Sequence, residues 1–127
     1  MIRYSYDPGK NMITTDFTGD IFIHDIMDYM SDINSNEALP AILNIFIDAR
    51  KARFIIEPAE IPRLAAMNYK MNRVFQEVNN AILTDNPNET ALALLYEYSS
   101  RSKHYRVKLF SLYENALSWL KNISKKD

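Results

Sequence analysis

Ile42-Leu43-Asn44-Ile45-Phe46-Ile47-Asp48-Ala49-Arg50 decides the architecture of this chain. Asn44 is the one polar residue before Asp48, and the run ends abruptly in charge. A short, nearly continuous apolar stretch of this kind predicts a buried strand over 42–48. Such strands lie centrally in parallel sheets, covered by helices on both faces. In open α/β sheets, ligands bind in the crevice beyond the carboxyl ends of the strands. Asp48, Ala49 and Arg50 stand at that edge, so function is sought there first. The chemistry on offer is sparse: no nucleophile, no glycine cradle and no set of metal ligands.

Upstream of this strand, Ile2, Tyr4 and Tyr6 alternate with Arg3, Ser5 and Asp7, the period of a half-buried strand. Asp7-Pro8-Gly9-Lys10 predicts a turn, with glycine supplying a positive φ. A return strand over 11–18 completes an N-terminal hairpin, broken by Gly19 and Asp20. Ile23, Ile26, Met27, Met30 and Ile33 recur at helical spacing, with Asp25, Asp28 and Asp32 on the other side.

Downstream, residues 49–57 read as irregular, and Pro58 and Pro62 sit where a helix start tolerates a missing N–H. A helix from Ile61 through Phe75 leads to a strand from Val78 to Thr84, ending at Asp85. Asn86-Pro87-Asn88-Glu89 predicts a capped helix start, with Glu89 as the acid that reaches back. Tyr105 to Phe110 is the last strand. Ser111-Leu112-Tyr113-Glu114 has the S-x-x-E spacing that opens the last helix, and residues 122–127 read as a frayed basic tail. The order β-β-α-β-α-β-α-β-α predicts one α/β domain over 1–127. Its expected form is a mostly parallel five-stranded sheet with four helices on its two faces.

With 127 residues the chain suffices for one domain with a core of its own. The absence of cysteine excludes disulfides, thiolate metal sites and cysteine nucleophiles. A net charge of −1 lacks the basic excess of a nucleic-acid binder. No stretch has the length of a membrane span or the pattern of a signal peptide, so a cytoplasmic location is expected. Charge is nonetheless uneven. Asp16, Asp20, Asp25, Asp28, Asp32 and Glu37 make the early part acidic. Arg50, Lys51 and Arg53 form one basic cluster, and Arg101, Lys103, His104, Arg106 and Lys108 another. These are either solvated faces or patches that select partners.

The ending carries a resemblance. Val107-Lys108-Leu109-Phe110, followed by Glu114-Asn115-Ala116-Leu117-Ser118-Trp119-Leu120, resembles the SpoIIAA-like branch of the STAS superfamily. The fold of that branch is also compared with the CRAL-TRIO lipid-binding domain. Asn44 to Asp48 and Ala81 to Thr84 fit its two central strands. The resemblance implies a SpoIIAA-like fold and a regulatory or protein-binding role. Antagonist members of the superfamily carry a phosphorylatable Ser or Thr just after an Asp at a strand end, soon followed by glycine. Asp48 matches that Asp. Ala49 occupies the phosphoacceptor position, and no glycine follows in Arg50-Lys51-Ala52, so the phospho-switch does not carry over.

Asp48 and Asp85, closing neighbouring strands, are a carboxylate pair for a cation or for acid–base work, or else Asx residues that receive loop N–H groups. Arg50, Lys51 and Arg53 beside the helix starts at 58–62 and 86–89 would attract an anion. His24 and Asp28 have a chelating spacing but lack further ligands. The expectation is therefore no metal, no cofactor and no enzyme activity. Ligand or partner contacts are expected at Asp48, Arg50, Arg53, Asp85 and Asn86. A protein partner or a second copy of the chain is the first reading. A small apolar ligand, suggested by Met67, Met71 and Phe75 and by the CRAL-TRIO comparison, is the alternative.

Overall fold

The alternating segment Ile2–Asp7 forms strand β1, paired antiparallel with β2 (Met12–Phe22) in the computed structural model of the chain. The structure describes residues 1–100 and 102–126, with the side chains of 124–126 excepted. In the turn, the Asp7 carboxylate accepts the N–H groups of Gly9 at 2.9 Å and Lys10 at 3.3 Å. The positive φ there, 48°, belongs to Asn11 and not to Gly9. Asparagine tolerates the left-handed region because its short polar side chain bonds locally.

Helix α1 (Ile23–Asn34) follows β2 directly, and Asp25 accepts the N–H of Phe22 at 2.8 Å across its first turn. The chain continues through β3 (Ile42–Ile55), a 3₁₀ turn at Pro58–Glu60, α2 (Ile61–Val74), β4 (Glu77–Leu83), α3 (Pro87–Ser99), β5 (Tyr105–Phe110) and α4 (Tyr113–Lys126). The tail expected to fray over 122–127 is helical as far as Lys126, and Asp127 lies outside the described residues. No described helix is long and apolar enough to cross a membrane.

The strands lie in the order β1-β2-β3-β4-β5. β2 to β5 are parallel and β1 is antiparallel, so the sheet is mixed. Because the order never reverses from β2 to β5, right-handed crossovers put every connecting helix on one face. There α1, α2 and α3 form one layer, with Met30, Ile33, Leu64, Met71 and Ala93 packed on Ile13, Ile45, Ile47, Val78 and Ile82. Among the described helices only α4 crosses over, and Ala116 and Leu120 pack on Phe46, Ala81 and Leu83.

The largest departure from expectation is the length of the central strands. The expected irregular segment 49–57 is mostly strand, since β3 runs for 14 residues to Ile55. Gly19 does not end β2 but sits inside it, with φ 73°. Pairing with β4 stops at Asp48↔Leu83, while β2 and β3 stay paired to Phe22↔Ile55 as a two-stranded arm. Between Asp16↔Asp48 and Thr18↔Lys51, β3 advances from 48 to 51 while β2 advances from 16 to 18. The extra residue is a bulge in β3. It changes which residues face inward. Before it, Leu43, Ile45, Ile47 and Ala49 face the three-helix layer; after it, Ala52, Phe54 and Ile56 do.

Inserting one alanine between Lys51 and Ala52 shifts the parity beyond the bulge by one residue and should turn Ala52, Phe54 and Ile56 toward solvent. The expected loss is about 2–4 kcal/mol in urea denaturation, whereas Arg50→Ala, which keeps the residue count, should move the midpoint less.

Candidate functional site

The structure separates the residues that the sequence brings forward. The Asp48 carboxylate accepts the backbone N–H of Arg50 at 3.1 Å and grips its guanidinium through Nε at 3.0 Å and Nη2 at 2.8 Å. Asp48 therefore fastens the bulge. The hydrogen bonds from the Arg50 side chain hold its carboxyl below the usual range, and burial opposes them. Arg53 makes a two-bond pair with Asp20, at 2.9 and 3.1 Å, across the arm. Both arginines expected to attract an anion are thus engaged by carboxylates. Ala49 points into the three-helix layer at 1% exposure. Position 49 does not present its side chain to solvent.

Asp85 and Asn86 stand at the start of α3. The Asn86 side chain accepts the N–H of Asn88 at 3.0 Å, the expected cap. Asp85 is exposed and adds the last of the effects that raise the Arg50 guanidinium, behind the hydrogen bond and charge of Asp48. Glu89 has a different job from the expected one. Only 3% exposed, it accepts the N–H of Phe54 at 3.0 Å and an Asn88 side-chain N–H at 2.9 Å. It ties α3 to the side of the arm that β4 leaves bare. No local signal in the sequence names Phe54 as its partner.

In the second basic cluster, Arg106 donates to Glu77 at 2.8 Å and to Asn79 at 3.3 Å. Asn79 donates to Asn44 at 3.1 Å, and Asn44 to the carbonyl of Asn11 at 3.3 Å. The polar interruption at Asn44 is thus one member of a buried row that crosses β3, β4 and β5. Arg101 lies outside the described residues.

What stays open is elsewhere. The loop after β4 leads to α3 on the three-helix face, and the loop after β5 leads to α4 on the opposite face. Adjacent parallel strands whose loops part in this way leave the crevice in which α/β proteins bind ligands. Here it is a hollow of about 510 Å³ lined by Thr84, Asp85, Asn86, Pro87, Thr90, Ala91, Leu94, Leu109, Phe110 and Ser111. The Thr84 and Thr90 hydroxyls bond each other at 2.8 Å, and Asp85 and Ser111 supply the polar rim. Phe110 rests on Trp119, with ring centres 5.8 Å apart, and Leu94 is 49% exposed. Two of the candidates, Asp85 and Asn86, are at this crevice; Asp48, Arg50 and Arg53 belong to the arm.

A second, narrower space of about 60 Å³ lies between the three-helix layer and the sheet, walled by Phe17, Ile47, Phe54, Ile61, Leu92 and Tyr96 among others. Pockets for drug-sized ligands run to about 300–1,000 Å³. Beside it, Tyr96 donates to Asn68 at 2.8 Å and meets the Tyr105 hydroxyl at 2.9 Å, while Tyr29 pairs with Thr15 at 2.8 Å. Burial pushes the Tyr96 phenol up to about 12, so near neutral pH its hydroxyl is protonated and holds these hydrogen bonds.

No protein-family model matches the chain, and no curated protein matches it. Among solved structures it is similar to an uncharacterised protein of the DUF3478 family from Shewanella loihica PV-4 with a SpoIIAA-like fold. The TM-score is 0.60 at 13% identity, over 94% of this chain and 92% of that one. The fold is therefore SpoIIAA-like, as the ending of the chain implies.

The Asp48 carboxyl has a depressed folded pKa, so its contribution is present above the ordinary carboxylate range and is lost as pH falls through the folded value. Asp48→Asn should cost about 1–2 kcal/mol at neutral pH. In strong acid the two urea midpoints should converge; a gap that stays constant across the acid range would show that the charge is not what fastens the bulge.

Proposed function

We propose that this chain is a non-catalytic interaction module of the SpoIIAA-like kind, and that its partner docks in the crevice where the loops after β4 and β5 part. One contrast carries the reading. Asp48, Arg50 and Arg53 are used up in fastening the arm, whereas the apolar wall at Leu94, Leu109 and Phe110 stays open beside Asp85. A crevice with an apolar wall and a single carboxylate on its rim suits a protein surface better than it suits bond-making chemistry. Ala49 offers no hydroxyl and is buried, so docking is not gated by phosphorylation at that position. The small-ligand alternative rests on the narrow apolar space between the three-helix layer and the sheet. At about 60 Å³ that space holds no acyl chain unless the helices part.

A photo-crosslinking residue in place of Leu94, compared with one in place of the exposed Ser5 on β1, tests the docking place in cells. A discrete adduct is expected from position 94 and none from position 5. Adding Ala91→Asp, at an exposed position of the crevice wall, should remove the adduct while moving stability by about 1 kcal/mol or less. Identical adduct patterns from the two positions would sink the crevice as the docking site.

A further inference from the structure

The crevice does not end at Leu109. A second hollow, lined by Glu97, Ser100, Ser102, Tyr105, Arg106 and Val107, continues it toward the amino end of β5. The two follow the outer edge of β5 from end to end, with α3 as one wall. β5 is the last strand of the sheet. On its inner side the N–H of Val78 donates to the carbonyl of His104 at 2.9 Å, and that of Thr84 to the carbonyl of Phe110 at 3.0 Å. The even-numbered residues therefore turn their backbone groups toward β4. By the two-residue period, the N–H and C=O groups of Val107 and Leu109 point outward, where no described strand pairs with them. An edge strand with a helical wall beside it is a place where an extended segment can add as one more strand.

Charge then selects the occupant. On the α4 side of β5 stand Arg106, whose guanidinium Glu77 already holds at 2.8 Å, Phe110, and Lys108, exposed and 5.7 Å from the Phe110 ring centre. A second copy of the chain fits poorly. Two-fold antiparallel pairing centred on Val107 sets Arg106 opposite the other copy's Lys108, and centring on Lys108 sets that lysine opposite itself. Like charges directly opposite each other are destabilising, and lysine on an edge strand discourages such pairing. An acidic side chain opposite Lys108 reverses the sign. On the other side, the added strand would meet Leu94 and Leu109, with Glu97 at one end of the wall.

We infer that the partner enters as an extended segment added to the outer edge of β5, with apolar side chains toward Leu94 and an acidic side chain toward Lys108. This deepens the interaction-module reading and rests on it. The probe is a peptide as long as β5, six residues, alternating valine and glutamate; its control alternates valine and lysine. In an amide NMR titration the glutamate peptide should shift and protect the N–H groups of Val107 and Leu109, and bind at least about tenfold tighter than the control. Lys108→Glu should narrow or reverse that preference without unfolding the chain. Equal binding of the two peptides, or no response at those two amides, overturns strand addition. If the position-94 adduct forms while these amides stay silent, strand addition is wrong and the crevice reading stands; if both are absent, both fall.

Discussion

The architecture depends on one extra residue in β3. A strand alternates its faces with a period of two, so a long central strand keeps its apolar side inward only if the pattern of apolar residues keeps that period throughout. In β3 the pattern changes parity after Ala49, and the bulge at Ala49–Arg50 restores agreement between sequence and sheet. Asp48 makes the bulge definite by receiving both the backbone N–H and the guanidinium of Arg50. Beyond that point Ala52, Phe54 and Ile56 close the end of the core that would otherwise open under α1, α2 and α3.

The arm creates its own difficulty. Past Leu83, β3 has a neighbour on one side only, and a half-paired strand leaves N–H groups needing partners. Glu89 satisfies Phe54 from the first turn of α3, so the helix start and the arm hold each other. The cost of burying that carboxylate is offset because it accepts two hydrogen bonds. Asp48, Glu89 and Asp20 thus all act as fasteners, which leaves Asp85 as the exposed carboxylate at the rim of the open crevice.

Polar groups inside the sheet layers act on register more than on chemistry. The row Arg106–Asn79–Asn44 runs across three parallel strands, and the Tyr96–Asn68 and Tyr29–Thr15 pairs tie helices to each other and to the sheet. Each would be left unsatisfied by a slipped strand or a shifted helix, so each penalises the wrong arrangement. Apolar packing alone discriminates less sharply between neighbouring registers.

Local pattern by itself determined the element order, the hairpin, the Asn86 cap, the β5 boundaries and the layered α/β class. Periodicity and capping are properties of a few adjacent residues, so they are legible without a fold. The ending around Phe110 and Trp119 pointed to the SpoIIAA-like arrangement, which the similarity to a solved structure of that fold bears out. Tertiary structure alone decided that β2 and β3 extend as an arm, because each half-polar strand is stable only through its neighbour. It also decided that Asp48 and Arg50 face each other, that Glu89 reaches Phe54, and that α4 leaves the helix layer for the opposite face. That last crossing places the crevice at β4 and β5 instead of at Asp48. Strand order and helix side are set by contacts between residues far apart in the chain, and no local spacing records them.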